Sequence, residues 1–327
     1  MAEPVFNPRW PLTNPHMQSL LASSPMRARA ALRRYPRLTA HEQKILLDCG
    51  HGVRLQGFYT PHPEPKGLVI AFHGWEGSAQ SSYLLSTCGR LHSDGFEIFR
   101  LNFRDHGDSH HLNEEVFHSC RINEVIGAVA EMLRRVPTRP AALMGFSLGG
   151  NFALRVALKA PERGLAIRYV LSVCPPIDPG HSLSLIERSR WVYEAYFMRK
   201  WGDSLKRKSQ LFPQRYPTMS QWLRRTRLRR LTEHLVKNLT DFHSVQHYLD
   251  GYSVAHDRLM DLHVPATLVA AMDDPVIPIS DYAELKLPAH VELKILPNGG
   301  HCGFIQDFSL QSWIESYAAG KIAAALG

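Results

Sequence analysis

A serine flanked by glycines, Gly145-Phe146-Ser147-Leu148-Gly149, is the first place where residue type and spacing in this chain point to chemistry. It follows an apolar run and opens a helical pattern, Leu148 to Ala160, which Pro161 ends. A sharp strand-to-helix turn crowds its neighbours, so residues without Cβ belong beside it. The turn lifts the hydroxyl above the sheet and aims helix N–H groups at the reacting atom. A serine hydroxyl is a weak nucleophile at neutral pH, so it needs a base, and the base needs an orienting acid. Both lie downstream. Thr267 to Ala271 runs into Met272-Asp273-Asp274-Pro275, and Val291 to Leu296 runs into Pro297-Asn298-Gly299-Gly300-His301. We expect His301 as base and Asp274 as its acid, with Asp273 as a turn or cap residue. The oxyanion of an acyl-transfer intermediate needs two donors. The loop His73-Gly74-Trp75-Glu76-Gly77-Ser78, after Val69 to Phe72, is expected to give one from the Trp75 N–H, and the Leu148 N–H is the other.

These residues must be held by strands. Short β-rich runs alternate with helical patterns, the sign of a mostly parallel sheet covered on both faces. Strands are expected at Gln43–Asp48, Val53–Tyr59, Gly67–Phe72, Gly95–Leu101, Ala141–Gly145, Ala166–Val173, Ala266–Ala271 and Val291–Leu296. The first two read as an antiparallel hairpin across Cys49 to Gly52, and the later ones as strands buried on both faces. Ile122, Val125, Ile126, Val129 and Leu133 recur at helical spacing before Pro137. The expected division is an arm over 1–40, an α/β core over 41–179 and 259–327, and a helical cap over 180–258, where no strand pattern is found.

The chain has 327 residues, 44% hydrophobic and 21% charged, which is ordinary for a globular core. Five cysteines with no CxxC pair suit free thiols in a reducing compartment. The N-terminus lacks the basic and apolar regions of a secretory signal, and no apolar run nears the roughly 20 residues of a membrane span. The expected setting is cytoplasmic.

Taken together, these motifs resemble the YheT-like branch of the α/β-hydrolase superfamily, related to the ABHD lipid hydrolases. The resemblance is carried by Asn14-Pro15-His16-Met17-Gln18, His73 to Ser78, Asn102-Phe103-Arg104, Gly145 to Asn151, Asp273-Asp274-Pro275 and Gly299 to Phe304. It implies an α/β-hydrolase fold with an eight-stranded, mostly parallel sheet, and hydrolysis of carboxylic esters, acyl lipids among them, without a cofactor. Acyl transfer, thioester cleavage and a non-catalytic ligand-binding module are the alternatives.

Two features stand apart. Asp105-His106-Gly107-Asp108-Ser109-His110-His111 is dense enough in His and Asp to bind a divalent metal, though a polar loop held by its own hydrogen bonds is the plainer expectation, and no metal is assigned. The formal charge of +8 gathers in Lys206-Arg207-Lys208 and Arg224 to Arg230, interleaved with Trp191, Tyr193, Tyr196, Phe197, Trp201 and Trp222. A solvated basic face over an aromatic pocket lining is the plainer expectation, and peripheral contact with an anionic membrane is the alternative such a surface suits. No nucleic-acid module is recognisable, and nucleic acid is not expected as a partner.

Overall fold

The computed structural model describes residues 4–137, 139–189, 191–223 and 226–327, the Trp191 side chain excepted. Three helices open the chain: α1 (Pro15–Ala22), α2 (Pro25–Arg34) and α3 (Arg37–Ala40). Prolines start α1 and α2, where a missing N–H costs nothing, and the Asn14 and Ser24 side chains cap them. The expected arm is thus helical and packed, with Gln18, Ala22, Arg27 and Leu38 buried.

Eight strands follow: β1 (Gln43–Asp48), β2 (Arg54–Thr60), β3 (Leu68–Phe72), β4 (Glu97–Asn102), β5 (Ala141–Phe146), β6 (Ile167–Val173), β7 (Ala266–Ala271) and β8 (Val291–Leu296). They form one sheet in the order β1-β2-β4-β3-β5-β6-β7-β8. Strand β2 is antiparallel to both β1 and β4, and every other pairing is parallel. The expected strands are all present, with ends displaced by up to two residues. One expectation fails: β8 is not buried on both faces. It is the edge strand, and Glu292, Lys294 and Ile295 are partly or fully exposed.

Alternation along the strands separates two cores. Leu68, Ile70 and Phe72 of β3 point into one, and Val69 and Ala71 into the other. Helices α4 (Ser82–Ser93), α5 (Ile122–Arg135) and α6 (Leu148–Lys159) join successive strands. Side chains of α5 and α6 fill the first core, and those of α4 the second.

Between β6 and β7 the chain makes α7 (Pro179–Arg188), α8 (Trp191–Leu211), α9 (Met219–Trp222), α10 (Leu228–Leu239) and α11 (Val245–Asp250). Leu183, Leu205, Leu231 and Leu235 of this segment join the first core. The segment is tied down by a buried ion pair from Lys208 Nζ in α8 to Asp105 Oδ1 in the loop after β4, at 2.7 Å. Helix α12 (Ile279–Ala283) precedes β8, and α13 (Trp313–Leu326) ends the chain against the second core. Among the described residues, no helix is long and apolar enough to cross a membrane.

Candidate active site

The residues singled out from the sequence meet at the carboxyl ends of β3, β5, β7 and β8, where open α/β sheets form a crevice. Ser147 sits between β5 and α6 with φ 53° and ψ −124°. Its N–H bonds the Val173 carbonyl at 2.7 Å, which fixes the turn against the end of β6. The flanking glycines are required by contact. A Cβ at Gly145 would lie 2.1 Å from the Gly149 oxygen, and one at Gly149 would lie 2.5 Å from the Phe72 and His73 carbonyls.

His301 Nε2 lies 2.9 Å from Ser147 Oγ, and His301 Nδ1 lies 2.8 Å from Asp274 Oδ2. The second oxygen of Asp274 accepts the N–H groups of Val276 and Ile277 at 2.8 and 3.0 Å. With Oδ1 held by the backbone, Oδ2 faces the imidazole and the Nδ1–H tautomer is favoured, leaving Nε2 to accept from the serine hydroxyl. Burial lowers the proton affinity of His301, but the Asp274 carboxylate and the neighbouring Cys302 together outweigh it and raise its pKa above that of free imidazole. Asp273 does not reach the ring. Its carboxylate accepts the Gly300 N–H at 2.9 Å and so pins the loop that carries His301.

Trp75 and Leu148 line a cavity that Ser147 also lines. Among the described residues, neither backbone N–H donates to a protein acceptor, so both are free to bind an oxyanion. Two buried histidines aim the Trp75 loop. The Phe103 N–H donates to His73 Nε2 at 3.2 Å, so His73 Nδ1 carries the proton and donates to the Gly74 carbonyl at 2.7 Å. That carbonyl shares a planar peptide unit with the Trp75 N–H, which therefore points the opposite way. His106 repeats the device one residue on. Its Nδ1 donates to the Arg104 carbonyl at 2.7 Å, and its Nε2 accepts from the Glu76 N–H at 3.1 Å. Burial pushes both imidazoles toward the neutral form, His106 to about 4.

A match to the model of the α/β hydrolase fold family runs from residue 67 to residue 308. The chain belongs to that family. YheT of Escherichia coli, which carries an esterase name, is 25% identical over 95% of this chain and 91% of its own length. A monoacylglycerol lipase of Saccharomyces cerevisiae is 23% identical over 81% of this chain and 62% of its own length. Among solved structures, the Pf2001 esterase of Pyrococcus furiosus shares the fold with a TM-score of 0.59 at 15% identity, over 88% of this chain and 93% of that one. Mouse alpha/beta hydrolase domain-containing protein 10 does so with a TM-score of 0.54 at 14% identity, over 86% and 99%.

On this α/β-hydrolase frame the Asp/His cluster has other duties than metal binding. Asp105 pairs with Lys208 and accepts the Phe117 N–H, Asp108 pairs with Arg207 at 3.2 Å, and His110 bonds Ser204 at 2.9 Å. Among the described residues, the one group with metal-like spacing is Cys174, His301 and Cys302, whose ligand atoms lie within 4.8 Å of one another. His301 already spans Ser147 and Asp274, so this set offers no independent site. Sequence reasoning missed His73 and His106 as supports, and also Ser19 of α1, whose Oγ accepts the His301 N–H at 2.8 Å. For His73 the signal was present, a histidine directly before the glycine of the donor loop. For Ser19 there was none.

Two cavities open from Ser147. One spans about 850 Å³ beneath α7, α8 and α10, and the other about 1840 Å³ between α1, α2, α8 and the loop after β3, the open mouth of each included.

Proposed function

We propose that the chain is a serine hydrolase of carboxylic esters that works through an acyl-enzyme. Ser147 Oγ attacks the ester carbonyl while His301 Nε2 takes its proton. The N–H groups of Trp75 and Leu148 hold the developing oxyanion. His301 then returns the proton to the leaving alcohol, and water, activated by the same imidazole, releases the acid. Asp274 keeps the imidazole in the tautomer this cycle needs and stabilises the imidazolium. The observation that carries the reading is the pair of contacts at 2.9 and 2.8 Å from Ser147 through His301 to Asp274, beside two unengaged backbone donors. The esterase names of YheT and Pf2001 support the substrate chemistry. A serine at the elbow argues against the aspartate-nucleophile reactions known on this fold. No step requires a metal or cofactor.

The test is hydrolysis of p-nitrophenyl esters by wild-type protein and by Ser147→Ala. The variant is expected to lose about three or more orders of magnitude in kcat while folding normally, the usual result of removing a triad nucleophile. A folded Ser147→Ala protein with undiminished activity would remove the serine from the mechanism. Acyl transfer shares the acyl-enzyme and differs only in the acceptor. An alcohol or amine that diverts product from free acid to a new ester or amide distinguishes it. Peripheral contact with an anionic membrane is part of the proposal, supported by the exposed cations Lys206 and Arg230 of the helical segment.

A further inference from the structure

A cysteine directly follows the histidine of the triad, and a second one ends the strand beside the serine elbow. Cys302 comes after His301. Cys174 comes after Val173, the last residue of β6, whose carbonyl accepts the Ser147 N–H at 2.7 Å. The two sulfurs and a ring nitrogen of His301 lie within 4.8 Å of one another, and Cys302 Sγ is 3.9 Å from the same Val173 oxygen. Both are free thiols. Both also have left-handed backbones, with φ 47° at Cys174 and 61° at Cys302. Residues with a Cβ seldom adopt that conformation, and it persists only where the surrounding structure enforces it. At Cys174 part of that enforcement is the N–H bond to the Val269 carbonyl at 2.7 Å. The ester-hydrolysis cycle uses neither thiol.

The two sulfurs are unequal. Cys174 has no exposed surface, whereas Cys302 is 4% exposed and lines the larger cavity beside Ser147. Burial raises both thiols, and for Cys174 it prevails. For Cys302 it is outweighed by the bond from the Cys174 thiol and by the charge of a protonated His301, which bring the group down to about 6. Cys302 is therefore the thiolate of the pair, and Cys174 keeps its proton.

We propose that Cys302 and Cys174 form a peroxide-sensitive thiol pair whose disulfide switches the hydrolase off. Hydrogen peroxide reaches Cys302 through the larger cavity. The Cys302 thiolate attacks one peroxide oxygen, the O–O bond breaks, and the hydroxide released takes up a proton to become water. Cys302 is then a sulfenic acid. The Cys174 sulfur attacks the Cys302 sulfur, the S–O bond breaks, and the Cys174 proton leaves with the oxygen as a second water. The thiol pair loses two electrons and one peroxide is reduced to two waters. A disulfide holds its sulfurs about 2.05 Å apart. Closing it draws the residue after His301 toward the end of β6 and takes the imidazole out of its place between Ser147 and Asp274. A misplacement of about 1 Å in a reacting group costs roughly 100-fold in rate.

The loss of activity rests on the ester-hydrolase reading above; the cross-link does not. Reduced protein is exposed to hydrogen peroxide, assayed on a p-nitrophenyl ester, and digested without reductant for peptide mass mapping. Wild-type protein should lose about 100-fold in kcat, yield a peptide pair joined through Cys174 and Cys302, and recover with dithiothreitol. Cys302→Ala should keep its activity through the same exposure. In Cys174→Ala the sulfenic acid meets no second thiol, so oxidation runs on to the sulfinic acid and dithiothreitol fails to restore activity. Each protein is compared with its own untreated sample, so a partly folded variant still reports. Wild-type activity that survives peroxide, inactivated protein without the Cys174 to Cys302 cross-link, or Cys302→Ala inactivated as fast as the wild type would overturn the proposal. Failure of the hydrolase reading looks different: untreated protein would turn over no ester, while the mapping would still show whether the two cysteines join.

Discussion

Asp273 and Asp274 are neighbours in sequence with different partners, and the difference sets what each substitution should do. Asp274 holds His301 through one oxygen and two backbone N–H groups through the other. Asp274→Asn preserves the turn but favours the wrong imidazole tautomer, so kcat should fall by about 10⁴. Asp273→Asn keeps an acceptor for the Gly300 N–H and should cost much less; the reverse ranking would move the acid by one residue. A pH dependence follows from the same contact. The working base is neutral His301, so activity is lost as pH falls through its pKa, which Asp274 raises. In Asp274→Asn that support is gone, and the acid limb of kcat/KM should move to lower pH even as its plateau drops. A pH–rate profile of both proteins checks the direction, and a limb that stays in place would contradict the assigned partner. His106 acts at one remove. His106→Ala leaves the Glu76 N–H without its acceptor and loosens the Trp75 loop, so kcat should fall about 10- to 100-fold with KM nearly unchanged. A change confined to KM would assign His106 to substrate binding instead.

At the scale of elements, α8 is fixed to the loop after β4 by Lys208 and Asp105, both buried, and Lys208 Nζ also bonds the carbonyls of His110 and Asn113. Lys208→Met leaves the buried Asp105 carboxylate without its ion-pair partner, with only the Phe117 N–H still bonded to it, and should destabilise the protein by about 3 kcal/mol or more. Asp105→Asn in the same chain should restore part of that loss, and urea unfolding of the single and double variants measures both. Equal stability of Lys208→Met and wild-type protein would show that the pair does not hold the helical segment. These partners also show what was legible in advance. The strands that carry Ser147 and Asp274 are apolar runs, interrupted only by Thr267, and buried on both faces; such runs are read without tertiary information. Strand β8 was placed correctly, but its exposure was not, because edge position is a property of the sheet order. The catalytic candidates announced themselves through glycine and proline at strand ends. Lys208, His106 and Ser19 did not, since each acts on a residue distant in sequence. Lys208 read as part of a basic surface and His106 as a possible metal ligand until their partners were in place.

Across the whole molecule, positive charge is less available than composition suggests. Arg207 pairs with Asp108, Lys208 with Asp105, Arg227 with Glu194 and Arg229 with Glu187. Arg224 and Arg225 lie outside the described residues. Lys206 and Arg230 remain exposed, and at about 1 kcal/mol each near an anionic surface their joint neutralisation should weaken vesicle binding about 30-fold at low salt. Cosedimentation with anionic vesicles reads this directly, and wild-type protein that ignores them at low salt would sink the membrane contact. The sheet brings a serine, a histidine and an aspartate from three separate strand ends to one hydroxyl. The central claim is that this hydroxyl becomes acylated. The direct measurement is reaction with a fluorophosphonate, followed by mass mapping of the modified peptide, in wild-type and Ser147→Ala protein. The account predicts one adduct on Ser147 in the wild type, matched by complete loss of esterase activity, and none in the variant. An adduct on another residue, or full-strength labelling of Ser147→Ala, would contradict it.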